Sequence, residues 1–561
     1  RYAFAQQRMR RYPLAGAAHS LIFFGFLVLM LRSLILFSRG FVAESSLLLF
    51  NPHTVLGDLY SLLKDGFVIL VIIGTLAFFY LRLVKKTQRM TKSVEALVIL
   101  GIILVMMLAD VSHIVQLART AAEAVAFNIW EPAGSLAAII LQNAGDGTLT
   151  FVAHLGFWTH TSLVLIFLNL LPYSKHFHVI TAIPNVFTQN LDPRGRLAPI
   201  EDIEGKVERE ETLGIKRIDQ FSWKSILDFY TCTECGRCSD HCPATTTGKK
   251  LWPKHLTIDL RNFLYQHESA IIGGSTEAES EHTKDLVDGV IDPEVLWACT
   301  SCRACETECP VFITYVDKIV DMRRYLVQER GEFPNELQTA FRSLESSMNP
   351  WGFPAEDRAN WADGLDVPLL SDKPDAEYLF WVGCAPSYDD RAKKTTRATA
   401  QLLKLAGVDF AILGPQEQCT GDPARRAGNE FLFQMLAEAN TETLNNHKVK
   451  KIVTTCPHCY NTLGHEYSDF GGKFEVIHHT DLLARLVKEG RLVPKTPIDA
   501  TITYHDSCYL GRYNEIYDAP RDTLRAIPGV TLVEPVETRD RGMCCGAGGA
   551  QPREIVARMV G

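Results

Sequence analysis

The sequence predicts a multidomain chain in three parts: an all-α transmembrane helix bundle, an α-helical domain built round two metal clusters, and a tandem pair of α/β cysteine-rich domains. Two observations predict it. All 15 cysteines of the 561 residues lie between Cys232 and Cys545, and the longest apolar runs lie before Pro184. At about 150 residues per domain, the length allows three or four domains. With 47% hydrophobic and 22% charged residues, the chain is neither disordered, collagen-like nor a small disulfide scaffold. A net charge of −8 argues against a dedicated nucleic-acid binder.

Four apolar segments make the bundle: 15–37, 66–84 (beginning as early as Leu59), 94–111 and 151–172. A helix needs about 20 residues to cross the hydrocarbon core, so the third is short unless it borrows flanking residues. Because the chain opens on Arg1 rather than Met, there is room for one further helix upstream. Arg8, Arg10 and Arg11 precede the first segment; Arg82, Lys85, Lys86, Arg89 and Lys92 surround the second turn; Lys175 follows the fourth. The stretches 38–58 and 112–150 hold only Arg39 and Arg119. The positive-inside rule then puts both ends of the bundle in the cytoplasm. A multi-pass protein of the cell inner (cytoplasmic) membrane follows, its cysteine-rich half cytoplasmic and its thiols reduced for metal.

The histidines sort by depth. His19 lies near the cytoplasmic start of the first helix and His178 just past the cytoplasmic end of the fourth. Imidazoles on facing helices hold haem b with one nitrogen on each side of the iron, so this pair is the expected inner site. His160 stands 18 residues before His178, about 27 Å if helical, and with His113, or His154 in its own place, would serve an outer haem. One or two haems b are therefore expected. His53 and His176 read as interfacial residues, and so does Asp110.

Residues 232–243 read CTECGRCSDHCP and 299–310 read CTSCRACETECP. Each is the C-x2-C-x2-C-x3-C-P run of two-cluster ferredoxins. Three cysteines wrap one cube and the fourth, a helical step on, reaches the other. One [4Fe–4S] cluster should take Cys232, Cys235, Cys238 and Cys309; the second should take Cys299, Cys302, Cys305 and Cys242. The proline after each run ends the local helix. About 56 residues separate the runs, more than a compact ferredoxin needs, so the domain is expected to be helical, with 273–289 a solvated loop.

The last third repeats itself. Cys384, Cys419, Cys456 and Cys459 form the first copy, with 34 and 36 residues in the gaps; Cys508, Cys544 and Cys545 form the second, with a gap of 35. Strand-like runs at 378–382, 451–455 and 500–504 precede three of these sites, which puts the cysteines at the carboxyl ends of strands, where α/β sheets place ligands. Four thiolates suffice for one further Fe–S cluster, with zinc the weaker alternative. The second copy has three thiolates and no closing C-x-x-C: either that pair lies beyond Gly561 or this half is degenerate.

These motifs carry a resemblance. The repeat resembles the CCG domains of heterodisulfide reductase and related (Fe–S)-binding oxidoreductases, in CTGDPARRAGNE (419–430), CPHCYNTL (456–463) and GMCCGAGGAQ (542–551). The membrane half, with LPYSKHFH (171–178), is similar to the haem-b subunit of respiratory nitrate reductase. The order of parts resembles membrane-bound electron-transfer flavoprotein:menaquinone oxidoreductases. The resemblance implies one or two haems b, two cubanes, at least one CCG-bound cluster, an FAD-bearing electron-transfer flavoprotein as donor and menaquinone as acceptor. In its terms the domains are a haem b bundle at 1–184, a linker at 185–225, a ferredoxin-like domain at 226–345, a linker at 346–375, a first CCG domain at 376–497 and a second at 498–561. Thr420 stands where the family pattern has a second cysteine. That weakens disulfide reduction and favours electron conduction. Quinol-linked heterodisulfide reduction and a non-catalytic electron wire in a larger complex are the alternatives.

Overall fold

The computed structural model describes residues 2–42, 50, 54–120, 127–273, 284–546 and 548, without the side chains of 113–120. The chain divides into two compact units, Arg1–Thr188 with Tyr230–Gly236, and Gln189–Phe229 with Arg237–Gly561.

The first unit is helical: α1 (Pro13–Arg39), α2 (Val55–Phe79), α3 (Val94–Thr120), α4 (Pro132–Ile140), α5 (Asp146–Leu170) and α6 (His178–Phe187). A π turn, Tyr80–Val84, prolongs α2. Among the described residues, four helices are long and apolar enough to cross a membrane: α1, α2 with its π turn, α3 and α5. The third is not short, because α3 takes in the polar residues after Val111. The helix α4 lies between the third and fourth apolar segments, in the stretch 112–150; Pro132 opens it, at a position where its missing N–H costs nothing.

Close packing joins α1 to α2. A Cβ on Gly25 would lie 2.1 Å from Val71, and one on Gly74 would lie 2.8 Å from the Ala18 carbonyl oxygen, the small-residue contact typical of membrane helices. Phe24, Phe26, Met30 and Leu34 of α1 face outward, exposed. Asp110, expected at the interface, is instead fully buried and accepts from Arg32 Nε at 3.1 Å. A charge inside an apolar bundle persists when it is paired. Lys64, also buried, pairs with Glu131 at 3.0 Å.

In the second unit the ferredoxin-like region is helical, with helices Pro253–Ile272, Pro293–Trp297 and Val316–Gln328. Of the loop expected at 273–289, residues 274–283 lie outside the described residues. Four parallel strands follow, β1 (Tyr378–Trp381), β2 (Phe410–Ala411), β3 (Lys451–Thr454) and β4 (Glu475–His478), in the order β2-β1-β3-β4. Leu379 pairs with Ile452, and Ile452 with Val476. Side chains alternate along β1: Leu379 and Trp381 enter one core with Phe433 and Leu436, while Tyr378 and Phe380 enter the other with Leu403 and Leu483. The sheet is thus buried on both faces, as parallel sheets are. The second repeat has a smaller sheet, β5 (Ala500–Ile502) parallel to β6 (Val530–Leu532).

Both segments read as linkers are packed. Trp361 is buried against Phe380, and Leu197 is buried with Val316 and Val320.

Candidate redox centres

The two C-x2-C-x2-C loops share one backbone. Glu234 and Gly236 in the first, and Ser301 and Arg303 at the equivalent places in the second, all have positive φ, at 53°, 74°, 51° and 60°. Alternating left-handed residues curl a loop so that its N–H groups turn inward. Gly236 is needed for space as well, since a Cβ there would lie 1.8 Å from the Arg89 carbonyl oxygen. Arg89 Nη1 in turn donates to the Cys235 carbonyl at 2.8 Å.

Cys242, Cys299, Cys302 and Cys305 line one pocket, together with Leu251, Tyr315, Val316 and Ile319 among others. It gathers three cysteines of the second run and the fourth of the first. Burial pushes the Cys299 thiol up to about 12 and Cys242 up to about 11, so these groups release their protons to a cation rather than to water. Among the described residues, no three His, Cys, Asp or Glu are gathered as the shell of a single metal ion. Four thiols in one pocket are the donor set of a [4Fe–4S] cluster. Of the other expected set, Cys232 and Cys235 belong to the membrane unit and Cys238 and Cys309 to the second. Cys232, Cys238 and Cys309 are buried and Cys235 is half-buried; Ile313 N donates to Cys309 Sγ at 3.3 Å.

In the first repeat Cys384 follows β1 and Cys456 follows β3, both at carboxyl ends. The Cys419 thiol bonds Cys384 and, with Arg358, brings Cys384 down to about 7 against its burial. Cys459 acts likewise on Cys456, which falls to about 6. A Cβ on Gly383 would lie 3.5 Å from Cys459 Sγ, so the two pairs adjoin and all four thiols come together. Thr420 Oγ1 is 4.0 Å from Cys459 Sγ. Charged residues of CTGDPARRAGNE form a buried network beneath. Arg426 Nε donates to Asp422 Oδ1 at 3.0 Å, and His458 Nδ1 lies 2.8 Å from Asp422 Oδ2. Against burial, Arg426 and His458 hold Asp422 down at about 2. Glu466 pairs with both Arg425 and Arg426.

In the second repeat Cys508 and Cys544 meet Cys302 of the ferredoxin run. Cys544 lies against Cys302 first and Cys508 second, and these thiols bring it down to about 6; its Sγ is 3.4 Å from Thr300 Oγ1. Arg512 Nε donates to the Cys302 carbonyl at 2.6 Å, and the Tyr513 hydroxyl to the Ser301 carbonyl at 2.5 Å. Cys545 is exposed, and 549–561 lie outside the described residues.

In the membrane unit the His19 and His178 rings are 6.4 Å apart, centroid to centroid, at 33°. His19 Nδ1 is 3.2 Å from Gln6 Oε1, and His178 Nδ1 is 2.9 Å from the Lys175 carbonyl oxygen. His160 is buried between Ser33 Oγ and the Met106 carbonyl, each at 3.3 Å. His154 is exposed. The side chain of His113, and His53 altogether, lie outside the described residues.

Comparison with known proteins follows these divisions. The CCG cysteine-rich domain model matches residues 378–464 and 502–558, and the 4Fe-4S dicluster domain model matches 228–313. The chain is 38% identical to the probable iron-sulfur-binding oxidoreductase FadF of Bacillus subtilis, over 97% of this chain and 81% of that one. It is 36% identical to the EtfAB:quinone oxidoreductase of Syntrophomonas wolfei, over 98% and 80%. The chain belongs to the CCG-domain family of iron–sulfur oxidoreductases. It is also 32% identical to one of the polypeptides of the dihydromethanophenazine:CoB--CoM heterodisulfide reductase of Methanosarcina mazei, over 58% of this chain and 79% of that one. No solved structure matches.

As a CCG-family oxidoreductase, the chain has Fe–S clusters and transfers electrons. Around its thiols stand residues that spacing does not mark: Arg358 and Glu417 beside Cys384, Tyr509 on His458, and Arg512 on Cys302. Tyr509 and Arg512 lie one and four residues after Cys508, near enough for the motif to point to them. Arg358 lies in a stretch without cysteines, and nothing local marked it.

Proposed function

We propose that the chain is a membrane-bound respiratory oxidoreductase that takes electrons from a reduced soluble electron-transfer flavoprotein, loaded by acyl-CoA oxidation, and delivers them to menaquinone. Its Fe–S domains face the cytoplasm. One observation carries this reading: the loop of Cys232 and Cys235 packs on the loop of His178. Lys175 Nζ is 3.7 Å from Glu234 Oε2, and the Phe177 and Tyr230 rings meet edge-on at 6.0 Å. Thiolates of the cytoplasmic side and an imidazole of the bundle are thus neighbours within one unit. The name of the EtfAB:quinone oxidoreductase relative supports the donor and acceptor.

When bound, the clusters and haem supply one-electron chemistry that thiols and imidazoles lack. His19 and His178 would hold the inner haem b. The two rings face one another across 6.4 Å, centroid to centroid, which supports a shared group between them. His178 Nδ1 donates to the Lys175 carbonyl, so Nε2 is the nitrogen that would ligate. His160 would serve an outer haem with His113. Cys232, Cys235, Cys238 and Cys309 would hold one cubane; Cys242, Cys299, Cys302 and Cys305 the other. Cys384, Cys419, Cys456 and Cys459 would hold a further cluster. Thr420 leaves that site one thiolate short of the family pattern, which suits conduction rather than disulfide cleavage.

The test is anaerobic purification in detergent, with iron, zinc and haem counted per chain, followed by reduced electron-transfer flavoprotein and then a menaquinone analogue. The haem α-band should appear with the flavoprotein and vanish with the quinone. Intact clusters with no haem reduction by the flavoprotein would overturn the reading.

A further inference from the structure

We propose that Arg358 is a positioning residue that raises the reduction potential of the centre held by Cys384, Cys419, Cys456 and Cys459. The inference rests on the iron–sulfur reading of that site.

Arg358 belongs to the turn Ala355–Ala362, ahead of β1 and outside the matched CCG residues. It is 3% exposed. Its Nη2 is 3.3 Å from Cys384 Sγ, and its Nε and Nη2 are 3.3 and 3.1 Å from Glu417 Oε1. Its guanidinium carbon lies 5.6 Å from the centre of the Tyr388 ring. The partner Glu417 is buried as well. It accepts from Val382 N at 2.8 Å and Gly383 N at 2.7 Å, so it clamps the turn that delivers Cys384. One carboxylate therefore fixes both the ligand loop and the fork that points at the sulfur.

The chemistry follows from charge. A thiolate-held cluster becomes more negative on reduction, and a charged N–H donor on a ligand sulfur favours the reduced form. Burial keeps water from screening that contact, and a guanidinium, which reaches the carboxylate with two nitrogens and the sulfur with one of them, suits the site better than a lysine ammonium. Glu417 opposes the effect through its own negative charge while holding the donor in place. The two partners therefore make opposite predictions.

The experiment is a redox titration of the full chain, purified anaerobically in detergent and followed by electron paramagnetic resonance. The centre is identified as the signal lost in Cys384→Ser. In Arg358→Gln its one-electron equilibrium should shift about tenfold toward the oxidised form, about 59 mV. In Glu417→Gln it should shift toward the reduced form. Arg358→Lys, which keeps the charge without the fork, should fall between Arg358→Gln and the parent, and it decides the matter if Arg358→Gln loses its iron. A loaded centre with an unmoved midpoint in Arg358→Gln, or in Arg358→Lys where that variant decides, would overturn the role of Arg358. A parent protein with no redox-active signal at Cys384 would overturn the iron–sulfur reading of the site instead, and the role of Arg358 with it.

Discussion

His458 stacks on Tyr509 with ring centroids 3.8 Å apart at 24°. One residue belongs to the CPHC motif of the first repeat and the other directly follows Cys508 of the second. Tyr509 stacks in turn on Tyr513 at 4.2 Å and shares a hydrogen bond of 3.1 Å with the Ser301 hydroxyl. Tyr509 therefore touches residues of three cysteine motifs, two through its ring and one through its hydroxyl.

Tyr509→Ala removes a fully buried ring and should cost roughly 3–5 kcal/mol. Thermal unfolding of the holoprotein measures it. Tyr509→Phe should cost far less, because only the bond to Ser301 is lost. Equal losses in the two variants would mean that the hydroxyl, not the stack, holds the motifs.

The buried pair Asp228 and Lys318 predicts acid sensitivity. Lys318 Nζ donates to Asp228 Oδ2 at 2.7 Å, and Lys224 to Oδ1 at 2.6 Å. Burial favours the neutral acid, but the two lysines outweigh it and the carboxyl titrates below its ordinary value. A lowered carboxyl stabilises the fold fully above the unfolded pKa of about 3.9, and that contribution is lost as pH falls through the folded value. The melting temperature should therefore drop more steeply below about pH 4 in the parent than in a variant carrying both Asp228→Asn and Lys318→Met. Parallel pH profiles would refute this.

The pair Arg32 and Asp110 should behave as a unit. Arg32→Leu alone leaves a buried carboxylate unpaired, at a cost of about 3–5 kcal/mol. Asp110→Leu alone strands the guanidinium similarly. The double variant should be more stable than either single one, as read by unfolding in detergent. Additive losses would show that the two charges act independently.

Cysteine substitutions should sort by cavity, not by motif. Cys242→Ser should remove the same spectroscopic centre as Cys305→Ser, although Cys242 belongs to the first run. Cys238→Ser should remove a different one. Iron content and low-temperature spectra of the three variants check it. Identical losses for Cys238 and Cys242 would mean that each run holds its own cluster.

Much of this architecture was legible in local patterns. Four apolar helices announced themselves by length, and the β1, β3 and β5 strands by short apolar runs before a cysteine. The grouping of Cys242 with the second run also followed from spacing, since a C-x3-C step carries the fourth thiol past its own loop. Less legible were the packed stretches 185–225 and 346–375. Their composition resembles a connector, yet Leu197 and Trp361 are core residues. The burial of Asp110 is hidden from the sequence for a related reason. Its position near a helix end suggested the interface, while its partner Arg32 lies 78 residues away.

The sequence by itself determined the chemistry on offer: fifteen thiols in motif spacing, histidines in and beside apolar segments, and helices long enough to cross a membrane. These are properties of near neighbours along the chain, which periodicity and spacing record. Only the tertiary structure decided which groups stand beside those ligands. Arg358 against Cys384, Tyr509 against His458 and Cys544 against Cys302 are contacts between distant segments. They form because buried charges need partners and aromatic faces need cover, and neither requirement leaves a repeat in the sequence that could be read in advance.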